Sequence, residues 1–122
     1  MSVNPVLNRL NKVDNGRAGR NAEKRMAKRV GGRQQVGSGA IDSMKGDIIK
    51  GGFLIESKTT VGQSFSVKKE WLLKVYQEAL EMNKTPVFAI NFTDAAGNSE
   101  KRERWMAIPE HLWLELIADD CN

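Results

Sequence analysis

Three residues near the middle of the chain have types and spacing suited to phosphoryl chemistry: Asp47, Glu56 and Lys58. Between the two acids lies Lys50-Gly51-Gly52, a hairpin signal, because paired glycines supply the positive φ angles that tight turns need. With Gly51-Gly52 as the loop, Lys50 faces Phe53, Ile49 faces Leu54, Ile48 faces Ile55, and Asp47 faces Glu56. Two carboxylates directly opposite one another on a sheet face repel, by roughly 0.2–1 kcal/mol when exposed and by more when buried. A cation between them removes the conflict. Oxygen ligands of this kind suit Mg²⁺ or Mn²⁺, held by few carboxylates and several waters. Such an ion polarises a phosphoryl oxygen and lowers the pKa of a bound water. Lys58, one pleat further along the same face, is placed to orient that water, accept its proton or neutralise developing charge. A plain Glu–Lys ion pair on an ordinary hairpin has the same residue pattern, since ExK alone is a weak motif.

A fourth acid comes from an earlier segment. From Arg17 to Val30, Ala18, Ala22, Met26 and Val30 recur every four residues, which predicts a helix stopped by Gly31-Gly32. Glu23 falls roughly 45° from the centre of that apolar stripe, so it could reach the sheet face holding Asp47 and Glu56, or pair with a neighbouring base. Arg17, Arg20, Lys24 and Lys28 cluster on the opposite side of the wheel. They belong to a basic stretch between Arg9 and Arg33 that has only Asp14 and Glu23 as acids, in a chain of net charge +4. Such a stretch reads as a phosphate-binding surface, with a solvated face as the alternative. Arg33, Lys45 and Lys68 complete the candidate DNA contacts, although Lys68 could simply snorkel along a helix.

The remaining elements must position these groups. Residues 1–16 read as a flexible arm and 17–122 as one domain. RQQV at 33–36 suits a short strand, and 40–49 a strand broken near Lys45-Gly46. FLIESKTT is a strand with Phe53, Ile55 and Ser57 on one face and Leu54, Glu56 and Lys58 on the other. A second helix is expected from about Val67 to Met82, with Ser66 as N-cap and Val67, Trp71, Leu72, Val75, Ala79 and Met82 as its apolar stripe. VFAINF at 87–92 is apolar on both faces, as in a central strand. An edge strand follows near 103–108, and Pro109 opens a last helix carrying Leu112, Trp113, Leu116 and Ile117. The order is α-β-β-β-α-β-β-α: a single α/β domain with a mixed central sheet flanked by helices.

Composition excludes several classes. One cysteine, Cys121, leaves neither a disulfide framework nor a zinc cluster. No apolar run approaches the roughly 20 residues of a membrane span, and there is no signal-peptide core at the start, so a cytoplasmic setting is expected. Gly37, Gly39 and Gly46 form neither a dinucleotide fingerprint nor a P-loop. His111, the only histidine, has aromatic neighbours and reads as structural.

The passage from AEKRMAKRV through GSGAIDSMKGDII to FLIESK resembles the PD-(D/E)xK nucleases, and within them phage and archaeal Holliday-junction resolvases. The resemblance spans about residues 17–92. It implies a restriction-endonuclease-like αβββαβ core and a catalytic set of Glu23, Asp47, Glu56 and Lys58. It also implies a Mg²⁺ or Mn²⁺ ion on Asp47, Glu56 and the Ser57 carbonyl, with Glu23 direct or through water, and a loop serine at Ser38. The implied activity is hydrolysis of branched DNA by a homodimer, in the host cytoplasm if the chain is phage-encoded. Gly46 stands where the motif's proline would be, and Asp42 is a rival acid whose register does not face Glu56. Other readings are a PD-(D/E)xK nuclease acting on different DNA, and a basic nucleic-acid-binding module without catalysis.

Overall fold

The computed structural model describes residues 5–34 and 47–120. In chain order they form α1 (Pro5–Val30), β1 (Arg33–Gln34), β2 (Asp47–Lys50), β3 (Phe53–Thr60), α2 (Lys69–Glu81), β4 (Thr85–Phe92), β5 (Arg104–Ala107) and α3 (Glu110–Asp120). The expected order of elements is observed. The five strands make one mixed sheet in the order β1-β2-β3-β4-β5, in which only β3 and β4 run parallel. The helical connection through α2 is what a parallel neighbour demands, since a short turn can join only antiparallel strands.

Alternation along the strands sorts the sheet into two faces. Met26 and Ala27 of α1 pack on Ile48, Ile55, Val87 and Ala89, with Val30 and Ile108 at the margin. Val75 and Ala79 of α2 pack on Ile49 and Leu54 of the opposite face, with Met82 alongside. Each helix therefore covers one side of the sheet. The α1 stripe is as expected, with Ala18, Ala22 and Met26 buried. The β2–β3 turn has Gly51 at φ +53°, which a side chain rarely adopts.

Several boundaries differ from expectation. α1 begins at Pro5, not Arg17, so much of the segment assigned to an N-terminal arm is helical. Proline suits a first helical turn because its missing N–H has no intrahelical acceptor there. α2 begins at Lys69, later than Val67, and its N-cap is Lys68 with no side-chain capping bond, so Ser66 does not cap it. The last helix is the larger correction. Its sequence pattern places Trp113 and Leu116 toward the core, yet they are 55% and 57% exposed. α3 follows the short edge strand β5 and leans on the body through His111, whose Nε2 lies 3.3 Å from the Tyr76 hydroxyl. Trp105 on β5 is likewise exposed, its indole N–H donating to the Arg102 carbonyl at 2.9 Å.

The turn 94–98 is tied to α1. The Ala96 carbonyl accepts from Asn21 Nδ2 at 3.0 Å and Arg25 Nη1 at 2.9 Å. Gly97, at φ +86°, sits so close that an added Cβ would lie 2.7 Å from the Ala18 carbonyl oxygen. Among the described residues no helix is long and apolar enough to cross a membrane.

Candidate functional site

The hairpin register is the one read from the Gly-Gly turn: Asp47 pairs with Glu56, Ile48 with Ile55, Ile49 with Leu54 and Lys50 with Phe53. Partners across a ladder share a face, so Asp47 and Glu56 stand side by side on the α2 side, with Ile49 and Leu54 as neighbours. Asp47 is wholly buried, and neither of its carboxyl oxygens has a hydrogen-bond partner. Native interiors rarely leave such groups unsatisfied, and an unpaired buried carboxylate is far more costly than a neutral one. Burial, and after it the adjoining Glu56, pushes the Asp47 carboxyl up to about 10. Without a cation the site therefore holds protons.

Lys58 lies on the same face. Its Nζ is 3.2 Å from Glu56 Oε1 and 4.9 Å from the centre of the Trp71 ring. Trp71 is half-buried and stacks on Phe88, which pairs with Glu56 in the neighbouring strand. The aromatic wall beneath Lys58 limits where the ammonium can swing, and the ring face attracts it. Lys68, exposed at the start of α2, places its own Nζ 5.3 Å from the same ring. This is closer to snorkelling than to an acid contact.

Ser57 points to the other side of the sheet, where Asn91 Nδ2 donates to its hydroxyl at 3.1 Å and to the Lys58 carbonyl at 3.3 Å. Any part it plays beside the acids falls to its backbone carbonyl. Glu23 approaches from α1, on that same far side. Its Oε1 accepts from Gln34 Nε2 at 3.1 Å. Burial raises its carboxyl above the usual range, opposed by the Gln34 bond and reinforced by the charge of Glu56. Glu23 thus shares the electrostatic field of Glu56 without meeting Asp47.

One acid is not marked out by the sequence. Glu78, on α2, brings its carboxyl against that of Asp47, and its Oε2 is buried without a partner. Burial raises the Glu78 carboxyl, while contact with Asp47 and the charge of Lys74 oppose that rise. Asp47 from β2 is thus flanked by Glu56 from β3 and by Glu78 from α2.

No protein-family model, curated protein or solved structure matches the chain.

The candidate DNA contacts divide into two sets. Arg17, Arg20, Lys24 and Lys28 form an exposed stripe on the outer side of α1. Arg33 pairs with Ile49, so it sits on the face of the acids, where Lys58 and Lys68 also lie. Ser38, Lys45, Gly46 and the rival Asp42 are outside the described residues.

A divalent cation fits the donor set chemically. The carboxyls supply hard oxygen ligands, and the two unpaired Asp47 oxygens are buried acceptors with nothing to accept from. No three acidic, histidine or cysteine side chains among the described residues form a ready-made cage. Binding an ion there would displace the proton that the raised Asp47 carboxyl holds, as metal binding to acids generally does.

Proposed function

We propose that this chain is a Mg²⁺-dependent, structure-selective endodeoxyribonuclease that hydrolyses phosphodiester bonds in four-way DNA junctions. It would use a restriction-endonuclease-like core built from α1, β1, β2, β3, α2 and β4. The reading rests on one observation above all. Asp47 is buried opposite Glu56 with both oxygens unpaired, and Lys58 stands 3.2 Å from Glu56 on the same face. A hairpin built only for stability gains nothing from this arrangement.

Asp47 and Glu56 would hold the ion, aided by the Ser57 carbonyl, with Glu23, on the α1 side of the sheet, acting through its charge. When bound, a Mg²⁺ ion supplies Lewis-acid polarisation of the phosphoryl group and a more acidic water. Lys58, restrained by Glu56 and Trp71, orients the attacking water and offsets charge developing on the phosphate. Arg33 and Lys68, on the same face, bind flanking phosphates as positioning charges. The α1 stripe binds DNA from the other side of the sheet. Two strands of a junction are cut by two sites, which a homodimer supplies.

Single-turnover cleavage of a synthetic four-way junction, compared with a linear duplex of the same sequence, tests the proposal. Mg²⁺-dependent cutting of the junction is expected, with the duplex cut far more slowly. Lys58→Ala should slow the chemical step by about 10²–10⁴-fold, while junction binding in Ca²⁺ stays near that of the parent. Equal rates on both substrates would remove the junction preference. A near-parental rate for Lys58→Ala would return Lys58 to a simple ion pair.

A further inference from the structure

On the α1 side of the sheet, away from the acids, an open cavity of about 290 Å³ lies between α1 and the β4–β5 edge. Met26 and Arg29 of α1, Asn91 of β4, and Lys101, Arg104 and Met106 at the start of β5 line it. The register explains the grouping. Asn91 pairs with Arg104 and Ala89 with Met106, and Ala89 belongs to the core packed under Met26. Three of the lining side chains are cations and none is an acid. The side-chain oxygen among them is that of the neutral Asn91 amide, which is buried and has no donor.

Cations drawn together repel unless a counter-charge joins them. Here the nearby acids are already engaged. Glu100 pairs with Arg102 at 3.0 Å, and Glu103 accepts from the Glu100 N–H at 2.8 Å. Glu23 sits on the other flank of α1, where it accepts from Gln34. Among the described residues the ion pairs are Lys58–Glu56 and Arg102–Glu100, so Arg29, Lys101 and Arg104 are in none. Two guanidinium groups are nevertheless held in place. Arg104 Nη1 donates to the Ser99 carbonyl at 3.1 Å, and Arg25, one turn before Arg29, donates to the Ala96 carbonyl at 2.9 Å. A guanidinium has five N–H donors, so each keeps most of its fork for another acceptor. Loss of water, then the charges of Arg104 and Arg25, lower the Arg29 guanidinium below its usual value. A concave, acid-free opening with positioned guanidinium groups matches what a phosphate group needs, since its oxygens accept from such forks in pairs.

We propose that the cavity formed by Arg29, Lys101 and Arg104 is a phosphate-binding site, and that it seats a phosphodiester of a DNA strand running along α1. Continuity favours DNA over a small phosphate compound. Lys24, Arg25, Lys28 and Arg29 are all exposed on α1 and lead from its outer stripe to the cavity. The inference takes DNA from the reading given above, but it needs neither the metal nor the acids, which occupy the opposite face.

Fluorescence anisotropy of a labelled four-way junction with the full chain in EDTA, over a salt series, tests this. The proteins are wild type, Arg29→Gln, Arg104→Gln and the control Arg102→Gln, an arginine paired to Glu100 and outside the lining. Arg29→Gln and Arg104→Gln should each weaken binding about threefold to tenfold and lower the logarithmic salt slope by about 0.9, the mark of one lost phosphate contact. Arg102→Gln removes the same charge and should bind as wild type does. Arg29→Gln should melt no lower than wild type, because a crowded cation has gone. Parental affinity and slope in Arg29→Gln, or an equal loss in Arg102→Gln, would overturn the site. If Arg104→Gln melts well below wild type, Lys101→Gln takes its place with the same expected loss. Junction cleavage in Mg²⁺ separates this inference from the nuclease reading. Arg29→Gln at saturating protein should cut at the parental rate, and binding that depends on Arg29 without cleavage by wild type would overturn the nuclease alone. No DNA binding by wild type would overturn DNA as the ligand. A melting temperature raised by inorganic phosphate at constant ionic strength, in wild type but not in Arg29→Gln, would then assign the cavity to a small phosphate compound.

Discussion

Asp47 is a residue whose surroundings oppose its own charge. Burial is the main cause, then Glu56 and Glu78, and together they push its carboxyl up to about 10. Glu23 and Glu78 are raised as well, each chiefly by burial. In the unfolded chain these groups titrate near ordinary carboxylate values of roughly 4. The metal-free folded state then binds more protons than the unfolded state above that pH, so stability declines as pH rises. Their contribution is complete below the unfolded pKa and is lost on the way up to the raised folded values. Asp94 works in the other direction, its carboxyl held low mainly by the Asn98 backbone N–H, so its effect falls on the acid side of the window. Thermal melts in EDTA should therefore show a melting temperature that falls between pH 5 and pH 9. Saturating Mg²⁺ should recover most at the alkaline end, where competition from protons is weakest. A flat EDTA profile would mean that Asp47 ionises freely and that the group is open to water.

At the scale of elements, much is legible in the sequence because local signals and tertiary demands agree. Gly51-Gly52 dictates the turn, and the period-two pattern of FLIESKTT then dictates which residues face Asp47. The α1 stripe is equally clear from its four-residue spacing. Glu78 is not, since an acid in VYQEALEM reads as part of a solvated face. It follows Trp71 by seven residues, which places both on nearly the same line of the helix. That spacing is the available signal, and it acquires meaning only once Trp71 is seen beside Lys58. The facing of α3 is illegible for another reason. Its apolar residues are spread around the helix, and periodicity cannot say which of them finds a partner. The 94–98 turn reads in the sequence only as a connection, yet it holds α1 in place. Gly97→Ala should lower stability by about 1–3 kcal/mol in urea unfolding, combining a strained φ with a clash on the Ala18 carbonyl. A change below about 0.5 kcal/mol would show that the turn can move off the helix freely.

For the whole molecule, the charge distribution bears on how DNA could be held. The acids and Arg33 lie on the α2 side of the sheet, whereas Arg20, Lys24 and Lys28 face outward from α1 on the other. DNA touching both sets would have to pass around the β1 edge, a demand met more readily by branched arms than by one straight duplex. Neutralising Arg20, Lys24 and Lys28 together should weaken junction binding and reduce its logarithmic salt slope by about 0.9 for each phosphate no longer neutralised by the protein. An unchanged slope would assign the stripe to solvent.

The hairpin has a consequence for what a damaged copy of this protein can be. Asp47 and Ile49 share one parity on β2, so the acid and a core aliphatic look the same way. A pairing slip of one residue would send both to the α1 side, exchanging Ile48 for them. The slipped form would lose its packing in the same step as its acids. Misregistered chains that are stable yet inert are thus disfavoured by construction: errors in this hairpin surface as unfolding, where proteolysis can remove them, before they accumulate as silent copies.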